Sequence, residues 1–243
     1  MRTLSELATR PASQIEARPV VAYDETYYER GVEAGVSGYS NYRWLPELTI
    51  PMAMTIIDTL GIRRGQSVLD FGCAKGFVVK AMCMLGRDAE GVDISPYAIE
   101  HADAAVVDRV HLIDELRRWP GRPRFDFGLA KDVLEHVPHG AIDGVVESLS
   151  ARCGTLLVVV PIGDGQRYTI EAYERDATHV IRQPAAWWAD ALSRHFASVS
   201  WRWHVPGIKD NWQRVHPRGN AVLVARGGRS VDPAGHAEAP SAC

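Results

Sequence analysis

Two acids in this chain stand where short apolar runs end. Asp70 closes the run Val68–Leu69 and is followed by a turn, Gly72, Cys73, Ala74, Lys75 and Gly76. Asp93, in GVDIS, lies 17 residues after Gly76. The glycines let a backbone turn tightly and approach a ligand with no Cβ in the way. The helix that Gly76 opens presents free N–H groups to polar ligand atoms. An acid at the end of the second strand of such a unit is placed to accept from both hydroxyls of a ribose. The spacing is G-x-x-x-G and not the G-x-G-x-x-G of a pyrophosphate cradle, and Asp70 would repel a pyrophosphate. A ligand carrying an ammonium suits that acid better, which argues for adenosine joined to an amino acid. The plainer alternative is a buried strand–turn–helix whose acids only cap, and two acids at this spacing weigh against it.

These residues need a frame that brings strand ends together. From Gln66 onward short apolar strands alternate with amphipathic helices: SVLDF, a helix in GFVVKAMCML stopped by Gly86, AEGVDI, a helix capped by Ser95 and begun by Pro96, VHLI (110–113), FDFGLA (125–130), a helix over 141–153 and TLLVVV (155–160). An earlier helix reads over 50–62, ending near Gly61. Beyond Pro161 the chain is irregular to about Gln183, then shows a helix (184–196) and two strands, SVSWRWHV (198–205) and NAVLVA (220–225), joined without an obvious helix. Strands apolar on both faces, alternating with helices, indicate a parallel sheet covered on both sides. The expected fold is α/β: a doubly wound, mostly parallel seven-stranded sheet with an antiparallel edge pair.

The bulk numbers narrow the partners. With 243 residues, 46 % hydrophobic, 23 % charged and a formal charge of −3, nothing favours long nucleic acid or an anionic membrane. No h-region or long apolar run is visible, and the longest aliphatic stretch, Leu156 to Val160, is far too short to span a bilayer. Four cysteines show neither CxxC spacing nor a disulfide framework, which points to a reducing, cytoplasmic setting without structural zinc.

VLDFGCAKGF, GVDIS and FDFGLAKDVLEHV together resemble the successive signature segments of the class I S-adenosylmethionine-dependent methyltransferases, over about residues 50–160. The family turn is D-x-G-x-G-x-G, and Ala74 stands where its central glycine would. The resemblance implies a Rossmann-like methyltransferase fold and S-adenosylmethionine as cofactor. Asp70 and the turn Gly72, Cys73, Ala74 and Gly76 would hold its methionine end, and Asp93 its ribose. Ile94 would pack on adenine, Asp114 would accept from the adenine amino group, and Lys131 would offer its backbone carbonyl to the ammonium. Tyr39 and Tyr42, in GYSNYRW, resemble aromatic lids of some members; the alternative is a packed surface loop. The expected organisation is an N-terminal arm and cofactor lid (1–45), a cofactor-binding domain (46–226) and a disordered tail (227–243).

The acceptor side is less determined. An oxygen or acidic carbon nucleophile needs a base, whereas an amine need only arrive neutral. DATH (176–179) resembles a D-x-T-H segment of small-molecule members, which makes His179, supported by Asp176, a candidate base; the plainer reading is a turn cap with a structural histidine. His136 and Asp132 follow the fourth strand, with His136 the second candidate, while Lys209, Trp212 and His216 lie in a later loop. The expected function is methyl transfer to an O, N or C atom of a small molecule, a sugar or other secondary metabolite, with no metal and with a homo-oligomer allowed. The alternatives are an RNA or protein acceptor, or a non-catalytic cofactor-binding subunit.

Overall fold

A computed structural model describes residues 23–228. Two short helices, α1 (Glu25–Glu29) and α2 (Gly31–Ala34), precede α3 (Pro46–Leu60). Then come β1 (Ser67–Phe71), α4 (Phe77–Met84), β2 (Asp88–Asp93), α5 (Pro96–Glu100), β3 (Val110–Leu112) and β4 (Phe125–Lys131). The chain continues through α6 (Ile142–Arg152), β5 (Cys153–Pro161), α7 (Ala185–Ser193), β6 (Phe196–Arg202), α8 (Asp210–Gln213) and β7 (Asn220–Gly228). The expected tail boundary at 226 falls inside β7, and the rest of that segment, like residues 1–22, lies outside the described residues.

The seven strands form one sheet in the order β3-β2-β1-β4-β5-β7-β6. The first five run parallel, and β7 is antiparallel to both β5 and β6. The strand order reverses between β1 and β4, so the carboxyl ends of these strands frame the crevice where α/β sheets take ligands.

The sequence builds this sheet by burying both faces of its central strands. In β5, Leu156, Val158 and Val160 join one core with Leu134, Val146, Leu149, Trp188 and Leu192 from the layer of α6 and α7. Leu157 and Val159 alternate to the other face, against Ile56, Ile57, Val79 and Met82 of α3 and α4. Outer β6 is largely exposed, as an edge strand with one packed neighbour should be.

Element limits follow local chemistry. α3 begins four residues before the expected Ile50, because Pro46 fits its first turn, where a missing N–H forfeits nothing. It ends at Gly61, whose φ of +70° is the left-handed cap. Ser95 caps α5 as expected, accepting from the Ala98 N–H at 2.9 Å with Pro96 behind it.

Gly91 sets how closely the turn after β1 can lie on β2. A Cβ at that position would meet Cys73 Cβ at 2.6 Å, Cys73 Sγ at 2.7 Å and a Val79 methyl at 2.9 Å. Gly91→Ala should therefore cost ~1–3 kcal/mol by overpacking, read as a lower urea midpoint at unchanged slope. Wild-type stability would show that the turn has room to move.

Candidate active site

The site is a cavity of about 540 Å³ at the switch point, with walls from the turn after β1, the ends of β2 and β4, the start of α6 and the N-terminal strap of α1 and α2. Of the residues expected from sequence, Tyr39, Gly72, Ala74, Asp93, Ile94, Asp114 and His136 line it. Tyr42, Asp70, Cys73, Gly76, Lys131, Asp176 and His179 are not among its lining residues. Asp132, named beside His136 on the acceptor side, lines it too, as do Tyr23, Tyr27, Tyr28 and Val133, which the sequence did not assign to the site. The signal for the three tyrosines was a tyrosine-rich run with no visible partner.

Asp93 is only 8 % exposed. Its two oxygens accept from the Ala74 and Ser95 backbone N–H groups, each at 2.8 Å. Burial raises its pKa, and these backbone donors work against that rise. Ala74 sits at φ +48°, a left-handed conformation that costs a non-glycine residue roughly 1–2 kcal/mol. Its bond to Asp93 helps to hold it there. Gly72, at φ +79°, lies under Val133, whose methyl would be 2.5 Å from an added Cβ. Beside them Ile94 is 54 % exposed, an apolar side chain on the cavity wall with one face uncovered. Asp114 lies at the rim, where its carboxylate accepts from the Glu115 N–H at 2.7 Å and pairs loosely with Arg118.

Two acids at the strand ends titrate in opposite directions. Burial pushes Asp70 up to about 7, with Lys131 opposing and Asp93 adding to the rise. For Asp132, burial also pushes upward, but Lys131 and Lys209 more than offset it and hold the carboxyl below its usual range. Lys131 Nζ lies 2.6 Å and Lys209 Nζ 2.9 Å from Asp132. The Lys131 side chain is thus committed to Asp132, while its backbone closes β4 at the crevice.

Several polar contacts fasten the strap over the site. Lys75 Nζ meets Glu29 at 2.5 Å and donates to the Tyr42 carbonyl at 3.0 Å. Ser95 donates to the Tyr23 carbonyl at 2.5 Å, and Tyr27 donates to Asp176 at 3.1 Å. Tyr39 and Tyr42 pack edge to face at 4.8 Å, and Tyr42 continues onto Phe77 of α4. Burial pushes the Tyr23 hydroxyl up to about 12, so it stays a neutral donor.

The two candidate histidines lie together, with ring centroids 4.6 Å apart. His136 is on the cavity wall, and His179 is behind it and 7 % exposed. His179 Nδ1 is 2.9 Å from the Tyr173 carbonyl, which can only accept, so that nitrogen carries the proton. Its Nε2 lies 3.9 Å from Asp176 and 4.0 Å from Glu135, beyond hydrogen-bond reach. Burial lowers the pKa of both rings, and His136 falls to about 4, with His179 adding to the effect. Both are therefore neutral at pH 7. Asp176, whose expected partner was His179, accepts instead from Tyr27, from the Thr178 N–H at 3.0 Å and from the Thr178 hydroxyl at 2.5 Å.

Chemically, the cavity offers a carboxylate and an apolar wall at one end and a neutral imidazole beneath tyrosines at the other. Residues 50–202 match the family model described as a methyltransferase domain. The ubiquinone biosynthesis O-methyltransferase of Paraburkholderia xenovorans (strain LB400) is 32 % identical over 126 residues, which cover 49 % of this chain and 50 % of that protein. The chain thus spans about half the length of the curated relatives it matches. Among solved structures, a SAM-dependent methyltransferase from Archaeoglobus fulgidus aligns with a TM-score of 0.56 at 15 % identity, over 72 % of this chain and 91 % of that one. The Burkholderia thailandensis 1,6-didemethyltoxoflavin-N1-methyltransferase, with bound 1,6-didemethyltoxoflavin and S-adenosylhomocysteine, aligns at 0.53 and 20 % identity, over 75 % and 80 %.

Asp70 gives this site a pH signature. Its folded pKa of about 7 exceeds the unfolded value of 3.8, so between these values the folded state binds more protons and stability falls as pH rises. The loss begins near pH 4 and is complete above about pH 7, with an upper bound of roughly 4 kcal/mol. Asp70→Asn should stabilise the ligand-free protein at pH 8 and lose most of that gain at pH 4, as followed by thermal melts. An equal effect at both pH values would show that Asp70 is not a buried, proton-hungry acid.

Proposed function

The chain belongs to the class I S-adenosylmethionine-dependent methyltransferases, and from that membership we propose that it methylates a hydroxyl oxygen of a small molecule. The observation that carries this reading is the neutral His136 on the wall of the same cavity as Asp93. A sugar or another hydroxylated secondary metabolite is the acceptor we favour, since a cavity roofed by tyrosines suits a small acceptor better than a polymer. Three unpaired cysteines among the described residues support our placing it in the cytoplasm.

The residues present fit the cofactor. Asp93 keeps lone pairs beyond the two occupied by backbone donors, as a ribose diol requires. Asp70, whose burial makes its charge costly, would be relieved by an ammonium nearby. The open face of Ile94 offers an adenine an apolar partner, with Asp114 at the rim beyond. Gly72, Cys73, Ala74 and Gly76 shape the turn at the methionine end, and Lys131 contributes its backbone there. Tyr39 and Tyr42 belong to the strap that shuts water out. When bound, S-adenosylmethionine supplies a methyl group already activated on a sulfonium.

The chain then has to orient the acceptor, keep the site dry and take a proton. His136 can do the last. It is neutral above about pH 5, and general-base catalysis by a positioned imidazole is worth ~10²–10⁴-fold. His179 and Asp176, the first candidates from sequence, would support His136 from behind. An amine acceptor would need no base, so the oxygen reading stands or falls with His136.

Two outcomes are expected. Asp93→Ala should weaken S-adenosylmethionine binding by ~1–3 kcal/mol, measured by calorimetry on a folded variant; unchanged affinity would remove the ribose assignment. In turnover with radiolabelled cofactor against a panel of hydroxylated metabolites, His136→Ala should lower kcat ~10²–10⁴-fold at unaltered cofactor affinity. A drop of only a few fold would point to an amine acceptor that is positioned without a base.

A further inference from the structure

The Thr178 hydroxyl has no part in the turn that it occupies. Its backbone N–H already donates to Asp176 Oδ1 at 3.0 Å, which closes the turn without the side chain. The hydroxyl donates to Asp176 Oδ1 at 2.5 Å and lies 2.7 Å from His136 Nδ1. A hydroxyl has one proton to give. Because that proton goes to a carboxylate oxygen that also receives an N–H, Thr178 Oγ1 can only accept from His136. Nδ1 of His136 therefore bears the ring proton, and in a neutral imidazole the lone pair is left on Nε2.

We propose that Thr178 is the positioning residue that sets the tautomer of His136, with Asp176 fixing the direction of the Thr178 hydroxyl. The proposal rests on the reading of His136 as base. In the step it serves, the acceptor O–H bond breaks as the O–CH₃ bond forms. The proton passes to His136 Nε2, and the positive charge that develops on the ring is met by the Nδ1–H···Thr178–Asp176 chain. Without the hydroxyl the preference for Nδ1–H over Nε2–H weakens, and the base spends part of its time with its lone pair turned to the protein. Tyr27, by donating to Asp176 Oδ2 at 3.1 Å, ties the N-terminal strap to the far end of the same chain.

The test needs no identified acceptor. Ring ¹⁵N shifts of His136 at pH 7, read on the full chain with and without S-adenosylhomocysteine, should show one dominant tautomer with the unprotonated-type signal on Nε2. Thr178→Val, which keeps the shape and loses the hydroxyl, should give averaged ring shifts, and Thr178→Ser should restore the wild-type pattern. Asp176→Asn, in which the amide can donate to Thr178 Oγ1, should shift the population toward Nε2–H; it also serves if Thr178→Val fails to fold. With the best acceptor of the metabolite panel, Thr178→Val should lower kcat ~10–100-fold and change KM and cofactor affinity by less than about threefold. Wild-type ¹⁵N shifts in both Thr178→Val and Asp176→Asn would overturn the proposal. If instead the shifts change as expected while His136→Ala leaves kcat intact, the tautomer control stands and the reading of His136 as base falls.

Discussion

A carboxylate taken into a protein interior must find donors there or lose its charge, and the site is organised around one that does. Asp93 accepts from two N–H groups that belong to different parts of the chain. The bond to Ala74 draws the turn after β1 onto the end of β2, against the left-handed strain at that alanine. The bond to Ser95 starts α5, and the Ser95 hydroxyl both caps that helix and reaches the Tyr23 carbonyl of the strap. Turn, helix and strap are thus held through one buried charge. Gly91 makes the arrangement possible by leaving space for Cys73 beneath it.

The switch point holds two more aspartates whose opposite behaviour comes from their partners and not from depth. Asp70 is buried and Asp132 half-buried, and in both burial favours the neutral form. Asp132 touches two ammonium groups and stays ionised, whereas Asp70 feels Lys131 without a contact and rises to about 7. Asp132 and its partner Lys209 also carry positive φ values of 54° and 61°. The ion pair therefore joins two backbone positions that are unfavourable for their residue types, a pattern found where a site over-determines its geometry. Asp132 has its cations within the protein. Asp70 is the acid left in want of a cation.

How much of this could be read from the sequence depends on range. Strands buried on both faces announce themselves as apolar runs, and an acid or a glycine at their ends marks the crevice, so the sheet and the Asp70–Gly76 turn were legible. The antiparallel pair followed from the lack of a long helical pattern between β6 and β7, where the structure has only the four-residue α8. The expected helix over 50–62 starts four residues late, since Pro46 occupies the true first turn and Pro51 lies inside the helix. The strap was visible only as a tyrosine-rich stretch. Its fastenings link residues 46 positions apart, Glu29 to Lys75, and 149 apart, Tyr27 to Asp176, and no local pattern encodes such pairings. The spacing in DATH suggested an Asp–His pair, yet the backbone turn points the Asp176 oxygens at Thr178 and sends His179 Nδ1 to Tyr173. The residue between them carried the connection.

The two histidines show why residue type and proximity are not enough to assign a role. They are 4.6 Å apart, both mostly buried and both held neutral by that burial. His179 is pinned by a backbone carbonyl, an acceptor that never changes character, so its proton stays on Nδ1 whatever its neighbours do. His136 is pinned by a hydroxyl, which can give or take a proton according to what faces its other side. Its protonation pattern is therefore conditional on Asp176, and Asp176 in turn counts the Tyr27 hydroxyl of the strap among its three donors. Of the two rings, the one on the cavity wall is the one whose lone pair depends on contacts made elsewhere. Removing the strap would take a donor from Asp176 and open the cavity to water at the same time, so exclusion of solvent and the setting of His136 draw on the same hydrogen bond.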